Sequence, residues 1–173
     1  MKKALLPALL LTLCLLMSSC FLVVSRPVQS VPVDPQNLGE AKTFSKAGIT
    51  LQLTDRFEDE VSQLGYDGYY TSDFCGVVVI REPFSAEEGL SEKTPEAYLQ
   101  AVIDHNGHQN IRPRQADGLW FYVNYNNSAV RCVYSYAYKG SDAFYVVQYI
   151  LNQTDEDALR TTIHSWALAT SVS

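Results

Sequence analysis

The sequence contains few cysteines, and none in a pattern that is typical of metal binding. Only 4 of the 173 residues are cysteine, and no C-x-x-C motif or Cys/His ladder with zinc spacing occurs. Gly-x-Ser-x-Gly is also missing, as is a Ser/Lys pair at catalytic spacing. Nucleophilic catalysis needs a Ser or Cys beside a base that a third group holds, and only Cys75 with a histidine could supply that pair. We therefore expect no enzyme, and no catalytic residue, metal or cofactor.

Positive charge is also scarce. Lys and Arg number 13 against 19 Asp and Glu, so the formal net charge is −6. An acidic protein is a poor partner for nucleic acid and for anionic lipid, because both are negatively charged. We expect no nucleic-acid partner. The sequence has no internal repeat and no low-complexity segment.

A long apolar run occurs only once, at the N-terminus. Met1-Lys2-Lys3 carries positive charge, Ala4 to Met17 is almost wholly apolar, and Ser18-Ser19 are small. This order is that of a secretory signal peptide. It predicts that residues 1–19 are a signal and that the rest of the chain works outside the cytoplasm.

A cysteine follows the small residues directly. Leu16-Met17-Ser18-Ser19-Cys20 resembles a bacterial lipobox, although leucine is more usual at the Met17 position. The resemblance implies that Cys20 receives diacylglycerol and that cleavage occurs before it, which would anchor the chain to a bacterial membrane. The alternative is an uncleaved anchor, because Ala4 to Val24 is long enough to span a bilayer core of about 30 Å.

The segment after the cysteine has the composition of a tether. Ser25 to Gln36 contains Pro27, Pro32 and Pro35 and has no helical or strand periodicity. Proline makes such a segment extended and fairly stiff, rising about 3.1 Å per residue. We interpret residues 20–41 as a tether and residues 42–173 as a globular domain of ordinary single-domain size.

Six segments have the pattern of β-strands. Ile49 to Leu53 alternates between apolar and polar residues after a turn at residues 45–48, and Phe74 to Ile80 is continuously apolar. The other four segments are residues 66–72, 119–125, 129–138 and 143–151. Short connections at Asn126-Asn127 and at Lys139 to Asp142 require antiparallel neighbours.

Helices are predicted between and after these strands. Thr94-Pro95-Glu96 is a typical helix start, and Asn106-Gly107 is a typical end. Thr154 is predicted to cap a last helix, and the spacing at residues 57–64 predicts a short one that Gly65 closes. The buried stripe of the last helix should contain Leu159, Ile163, Trp166, Ala167 and Thr170.

Three stretches resemble those of bacterial PsbP-like domains: Phe44 to Leu51, Tyr138 to Val146, and Ile163 to Ala167. The resemblance implies an α+β fold, an α/β/α sandwich around a mostly antiparallel sheet of about six strands. Photosystem II PsbP, a Ran-binding nuclear import factor and various bacterial lipoproteins share this fold. Because these proteins share no reaction, the resemblance carries no function with it.

Two cysteines, Cys75 and Cys132, lie in strand-like runs of the domain. An exported protein can form a disulfide, but pairing needs Cα atoms within about 7 Å. The alternative is two buried free thiols, which behave as small apolar side chains. The sequence leaves both alternatives open.

Tyrosine is unusually frequent, with 11 residues. Two groups are candidate binding residues, since a phenol is rigid, amphipathic and suited to contacts with sugars or proteins. One alternates along a predicted strand and the other surrounds Asp67-Gly68: Tyr134, Tyr136 and Tyr138; Tyr66, Tyr69 and Tyr70. The alternative is that the rings fill the space between the sheet and the helices.

These features predict a membrane-tethered, non-enzymatic envelope lipoprotein that acts as a protein interaction module. Its partners would be the membrane, through the lipid anchor, and an unidentified envelope protein. The alternative function is capture of a small ligand or glycan on a tyrosine-rich surface.

Overall fold

A computed structural model describes residues 33–62, 65–106, 111, 118–125 and 129–173 of the chain. Four predicted features lie outside these residues: the signal peptide, lipidation at Cys20, the helix end at Gly107 and the turn Asn126-Asn127. Among the described residues, no helix has the length and apolar character needed to cross a bilayer.

The described residues form nine strands and two α-helices. The strands are β1 (Ala41–Lys46), β2 (Ile49–Thr54), β3 (Glu58–Asp59), β4 (Gly68–Thr71), β5 (Gly76–Pro83), β6 (Gly118–Tyr125), β7 (Ala129–Lys139), β8 (Ala143–Asn152) and β9 (Ser171–Val172). The helices are α1 (Pro95–Asn106) and α2 (Glu156–Ala169), and short 3-10 turns cover Phe84–Ala86, Leu90–Glu92 and Gln153–Asp155.

Six strands form the central sheet, in the order β3-β4-β5-β8-β7-β6, and all neighbours are antiparallel. The middle strand β8 is buried along nearly its whole length. Its side chains alternate between two cores, with Val147 and Tyr149 on one face and Val146 and Ile150 on the other. A strand covered on both faces explains why residues 143–151 are apolar except for Gln148.

The two helices cover opposite faces of this sheet, as predicted. Helix α1 lies against β6 and β7, and α2 lies on the other face together with a three-stranded sheet of order β1-β2-β9. The predicted alternation in β2 is confirmed, because Ile49, Leu51 and Leu53 are all buried. The small sheet was not predicted as a separate sheet, since β9 contributes only two residues to it.

Two details of the helices differ from the prediction. Residues 58–59 form the edge strand β3, which pairs with β4, instead of belonging to a short helix. Val61, expected on the buried face of that helix, is 92% exposed. Thr154 does not cap the last helix, because it lies within a 3-10 turn and α2 begins after it, at Glu156.

Two other helix predictions are confirmed. The backbone N–H of Ala97 donates to Thr94 Oγ1 at 3.2 Å, as expected of a capping threonine. On α2, Leu159, Ile163 and Trp166 are all buried against the sheet. Both patterns depend on spacing within one helix, which the sequence displays directly.

The chain enters the domain at one end of the small sheet. Leu38 is buried and Val33 packs against the same core, so packing begins inside the segment interpreted as a tether. Arg56 Nη1 donates to the carbonyl of Asn37 at 2.7 Å, and the N–H of Glu40 donates to Asp55 Oδ1 at 3.0 Å. These contacts fix the entry point beside the start of β1.

Candidate functional site

The alternating tyrosines of β7 lie beneath α2 and do not form a surface. Tyr134 and Tyr136 are buried, and Tyr138 is half-buried with its hydroxyl donating to the carbonyl of Ala167 at 2.8 Å. Of the two alternatives for these tyrosines, the structure has the one in which the rings lie between the sheet and a helix. The three rings do share a face, but helix α2 covers that face, and the rings fill the space between the helix and the sheet.

The hydroxyl of Tyr134 joins a polar cluster at the start of α2. It donates to Glu156 Oε1 at 3.2 Å and accepts from Arg160 Nε at 3.3 Å. Arg160 Nη2 also donates to Glu156 Oε1 at 2.9 Å. Burial raises the pKa of Tyr134 above its ordinary value. The cluster provides hydrogen-bond partners for the buried carboxylate of Glu156 and joins α2 to β7. Its role is therefore structural.

The second tyrosine group is divided between the two sides of the sheet. Tyr70 is 1% exposed and packs against Phe44 in the α2-side core, with ring centroids 5.0 Å apart. Tyr66 and Tyr69 are half-buried and pack against the α1-side core. Neighbouring residues of a strand point to opposite faces. The prediction that these three rings form one contact loop is therefore wrong.

Neither Cys75 nor Cys132 forms a disulfide in the structure, and both are buried. Cys132 lies opposite Leu151 of β8, and Gly76 lies opposite Ile150 on the other side of the same strand. The two cysteines are thus level with one another but separated by β8. Two strand spacings amount to about 10 Å, which exceeds the reach of a disulfide. Burial raises the pKa of Cys75, which favours the inert thiol.

A cleft that the sequence did not reveal lies between the β1–β2 turn and residues 171–173. It has a volume of about 410 Å³ and is lined by Ser45, Lys46, Ala47, Gly48, Ile49, Thr50, Ser171, Val172 and Ser173. We call it the distal cleft. Sequence analysis identified residues 45–48 only as a turn, and no motif marks residues 171–173, because the two segments meet only through the fold.

The turn that forms one wall is a tight one of type I′. Ala47 and Gly48 both have positive φ angles, 53° and 89°. A side chain on Gly48 is excluded, since its Cβ would lie 2.5 Å from Tyr145 Oη. Arg81 Nε donates to the same hydroxyl at 3.3 Å. The turn therefore packs against the hydroxyl of the buried Tyr145, which also accepts a hydrogen bond from Arg81.

The cleft presents hydroxyl groups from three adjacent strands. Ser45 lies opposite Thr50, which lies opposite Ser171, so the three residues form one row across the small sheet. The hydroxyls of Ser45 and Thr50 are 3.0 Å apart and hydrogen-bonded. At the rim, Lys46 Nζ donates to Asp59 Oδ1 at 3.0 Å, which neutralises its charge.

The cleft and the entry of the chain lie at opposite ends of β1. The chain enters beside Ala41 and the cleft begins at Ser45 and Lys46, near the other end of the strand. A strand of this length spans about 17 Å at about 3.4 Å per residue. A tether that precedes β1 would therefore hold the cleft at the end of the small sheet remote from the tether.

Comparisons with known proteins bear on the fold. No family model matches the sequence, and no curated protein matches it either. Among solved structures, the chain is similar to the solution structure of cyanobacterial PsbP (CyanoP) from Synechocystis sp. PCC 6803. The TM-score is 0.51 at 12% sequence identity, and the match covers 86% of this chain and 100% of that chain. At this identity the likeness concerns the fold alone, and this chain has a PsbP-like α+β fold.

Proposed function

We propose that the chain is a membrane-tethered, non-enzymatic lipoprotein of the bacterial envelope that acts as an interaction module. Its contact surface would be the distal cleft. The observation that carries this proposal is the position of the cleft at the end of β1 remote from the chain entry. With Cys20 in the membrane, that end would point toward other envelope components.

The size and the lining of the cleft differ from those of the protein interface that the sequence predicted. An ordinary protein interface covers about 800 Å² per partner and has an apolar, aromatic-rich core. The tyrosines that suggested such an interface lie in the core or half-buried against it. The distal cleft is instead small and open, and its lining includes the hydroxyl-bearing residues Ser45, Thr50, Ser171 and Ser173. This observation favours the second candidate function, capture of a small ligand or glycan, over a broad protein contact.

Site-specific photo-crosslinking in the native cell tests the proposal. A photoreactive amino acid replaces Thr50 or Ser171 inside the cleft, and Thr161, an exposed residue of α2, in a matched control. We expect Thr50 and Ser171 to give the same crosslinked species and the Thr161 control not to give it. When a cleavable secretory signal peptide without a lipobox cysteine replaces residues 1–24, that species should be lost, because neither a lipid nor an apolar segment would hold the exported domain at the membrane.

Two outcomes would contradict the proposal. Crosslinking that is equal from all three positions would show that the cleft is not the contact surface. An unchanged pattern after that replacement of residues 1–24 would show that the tether plays no part in the contact.

A further inference from the structure

We infer that the distal cleft binds an uncharged, hydroxyl-rich ligand of the chemical class of a neutral oligosaccharide. The inference rests on the proposed role of the cleft, but it does not depend on the lipid anchor. It follows from the side chains that the cleft presents and from the ligand classes that its geometry disfavours.

The side chains that face the cleft are matched to hydroxyl groups. In β2, Ile49 points into the core and Thr50 points outward, so the row of Ser45, Thr50 and Ser171 lies on the outer face of the small sheet. A serine or threonine hydroxyl both donates and accepts hydrogen bonds. A sugar hydroxyl has the same dual character, and each can therefore pair with the other in either direction.

An anionic ligand would find little attraction here. The charge of Lys46 is taken up by Asp59, whose carboxylate oxygen lies 3.0 Å from its ammonium nitrogen. The chain as a whole carries more acidic than basic residues, 19 against 13. A negative ligand would therefore meet an acidic chain, and the one cation among the described lining residues of the cleft is already paired.

A peptide strand could add only at the outer edges of the small sheet, along β1 or β9, and not at its centre. Strand-addition sites need an unpaired strand edge. At Ile49 and Thr50, β2 is already paired with β1 on one side and with β9 on the other. The centre of the row, at Thr50, therefore offers a side-chain hydroxyl and no free strand edge.

An apolar ligand is disfavoured by the direction of the apolar lining residues. Ile49 is 2% exposed, and Val172 packs against the same core. Both side chains thus lie beneath the sheet, and the outer face keeps its polar groups. The volume of about 410 Å³ falls within the usual range of small-molecule clefts, about 300–1,000 Å³.

Ligand-observed saturation-transfer NMR tests the inference on the full chain. The protein is held in a detergent without a sugar headgroup, and the probes are cellotriose, maltotriose and the trimer of N-acetylglucosamine. Trigalacturonate serves as the charged counterpart. We expect saturation transfer to at least one neutral trimer and none to trigalacturonate.

The matched variants are Thr50→Val and Thr43→Val. Both remove one threonine hydroxyl from the outer face of the small sheet, but only Thr50 lies in the cleft. Loss of one hydrogen bond predicts affinity about three- to tenfold weaker for Thr50→Val, and unchanged affinity for Thr43→Val. Thermal unfolding of both variants identifies any loss of fold.

Three results would overturn the inference: no transfer to any neutral trimer, equal transfer to trigalacturonate, or equal weakening by both variants. A protein crosslinked from Thr50 with no sugar binding would retain the interaction module and reject this ligand class. Sugar binding by a chain found to be unacylated would retain the ligand class and reject the lipid anchor.

Discussion

At the residue scale, Gln148 is a polar side chain buried among apolar ones. It is 5% exposed, and its Oε1 atom has no hydrogen-bond partner within the part of the chain that the structure describes. It lies on the α1 side of β8, between Val146 and Ile150 in the alternation of the strand. A buried acceptor without a donor costs about 1–3 kcal/mol.

Gln148→Met should therefore stabilise the domain. Methionine keeps a similar length and removes the unsatisfied oxygen, so we expect a gain of about 1 kcal/mol in the free energy of unfolding, measured by urea denaturation. Gln153→Met, at an exposed position, is the control and should change stability by less than about 0.5 kcal/mol. A loss of stability in Gln148→Met alone would show that the amide oxygen is satisfied in solution.

Glu82 is a second residue whose environment has a measurable consequence. Burial raises its pKa above the ordinary value of 4.5, while the hydrogen bond from the Tyr98 hydroxyl partly opposes that shift. The folded state thus holds this proton more tightly than the unfolded state does. The stability that it contributes is complete below the unfolded pKa and is lost as the pH rises through the folded pKa.

Glu82→Gln should remove the loss of stability that occurs as the pH rises. The amide keeps an acceptor for Tyr98 and cannot ionise, so the melting temperature of the variant relative to the wild type should rise by a few degrees between about pH 4 and about pH 7. Glu92→Gln removes an exposed charge and should show no such trend. A difference for Glu82→Gln that does not change with pH would contradict the assignment.

At the scale of single elements, the β1–β2 turn carries backbone strain. Ala47 is the only described residue other than glycine with a positive φ angle. Asn is preferred at this position of a type I′ turn, because it tolerates the left-handed region that costs other residues about 1–2 kcal/mol. Ala47→Asn should raise the free energy of unfolding by about 0.5–1 kcal/mol in urea. Ala41→Asn, in the strand, should not, and equal effects would contradict the turn type.

Helix α2 depends on a large aromatic side chain. Trp166 packs edge-on against Phe57, with ring centroids 5.6 Å apart, and also contacts Tyr149. Trp166→Ala should cost about 3–5 kcal/mol in denaturant unfolding, as aromatic truncations in cores do. Leu168→Ala, on the exposed side of α2, is the control and should cost little. A loss below about 1 kcal/mol for Trp166→Ala would place that face of the helix in solvent.

These elements also show how far the sequence predicts the structure. The alternation of Ile49, Leu51 and Leu53 and the Thr94 cap are local patterns, and the structure has them as predicted. The tyrosines of β7 were correctly placed on one face. Whether that face is exposed depends on α2, which follows a whole strand later, and no local pattern encodes that covering.

The distal cleft was missed for the same physical reason. It exists because Ile49 pairs with Val172, two residues that are distant in the sequence. Two-residue strands such as β9 leave no periodic signal. The turn residues Ala47 and Gly48 indicated a hairpin, but not that a second segment would complete a cleft beside it.

At the scale of the whole molecule, the chain combines a proposed anchor, a folded domain and a proposed site. The domain has a PsbP-like fold, whose likeness to a solved structure covers 86% of the chain. The anchor is proposed from the signal pattern and Cys20, and the site is proposed from the cleft remote from the chain entry. The position of the cleft, remote from the chain entry, matters for function only if the chain is attached to a membrane. Membrane attachment is therefore the claim on which the proposed function depends.

Intact mass spectrometry of the chain extracted from native membranes tests that claim most directly. We expect a chain that begins at Cys20 and carries diacylglycerol on its thiol, and no such species for Cys20→Ala. An unacylated chain that runs from Met1 to Ser173 in the membrane would contradict it and would establish the uncleaved anchor instead.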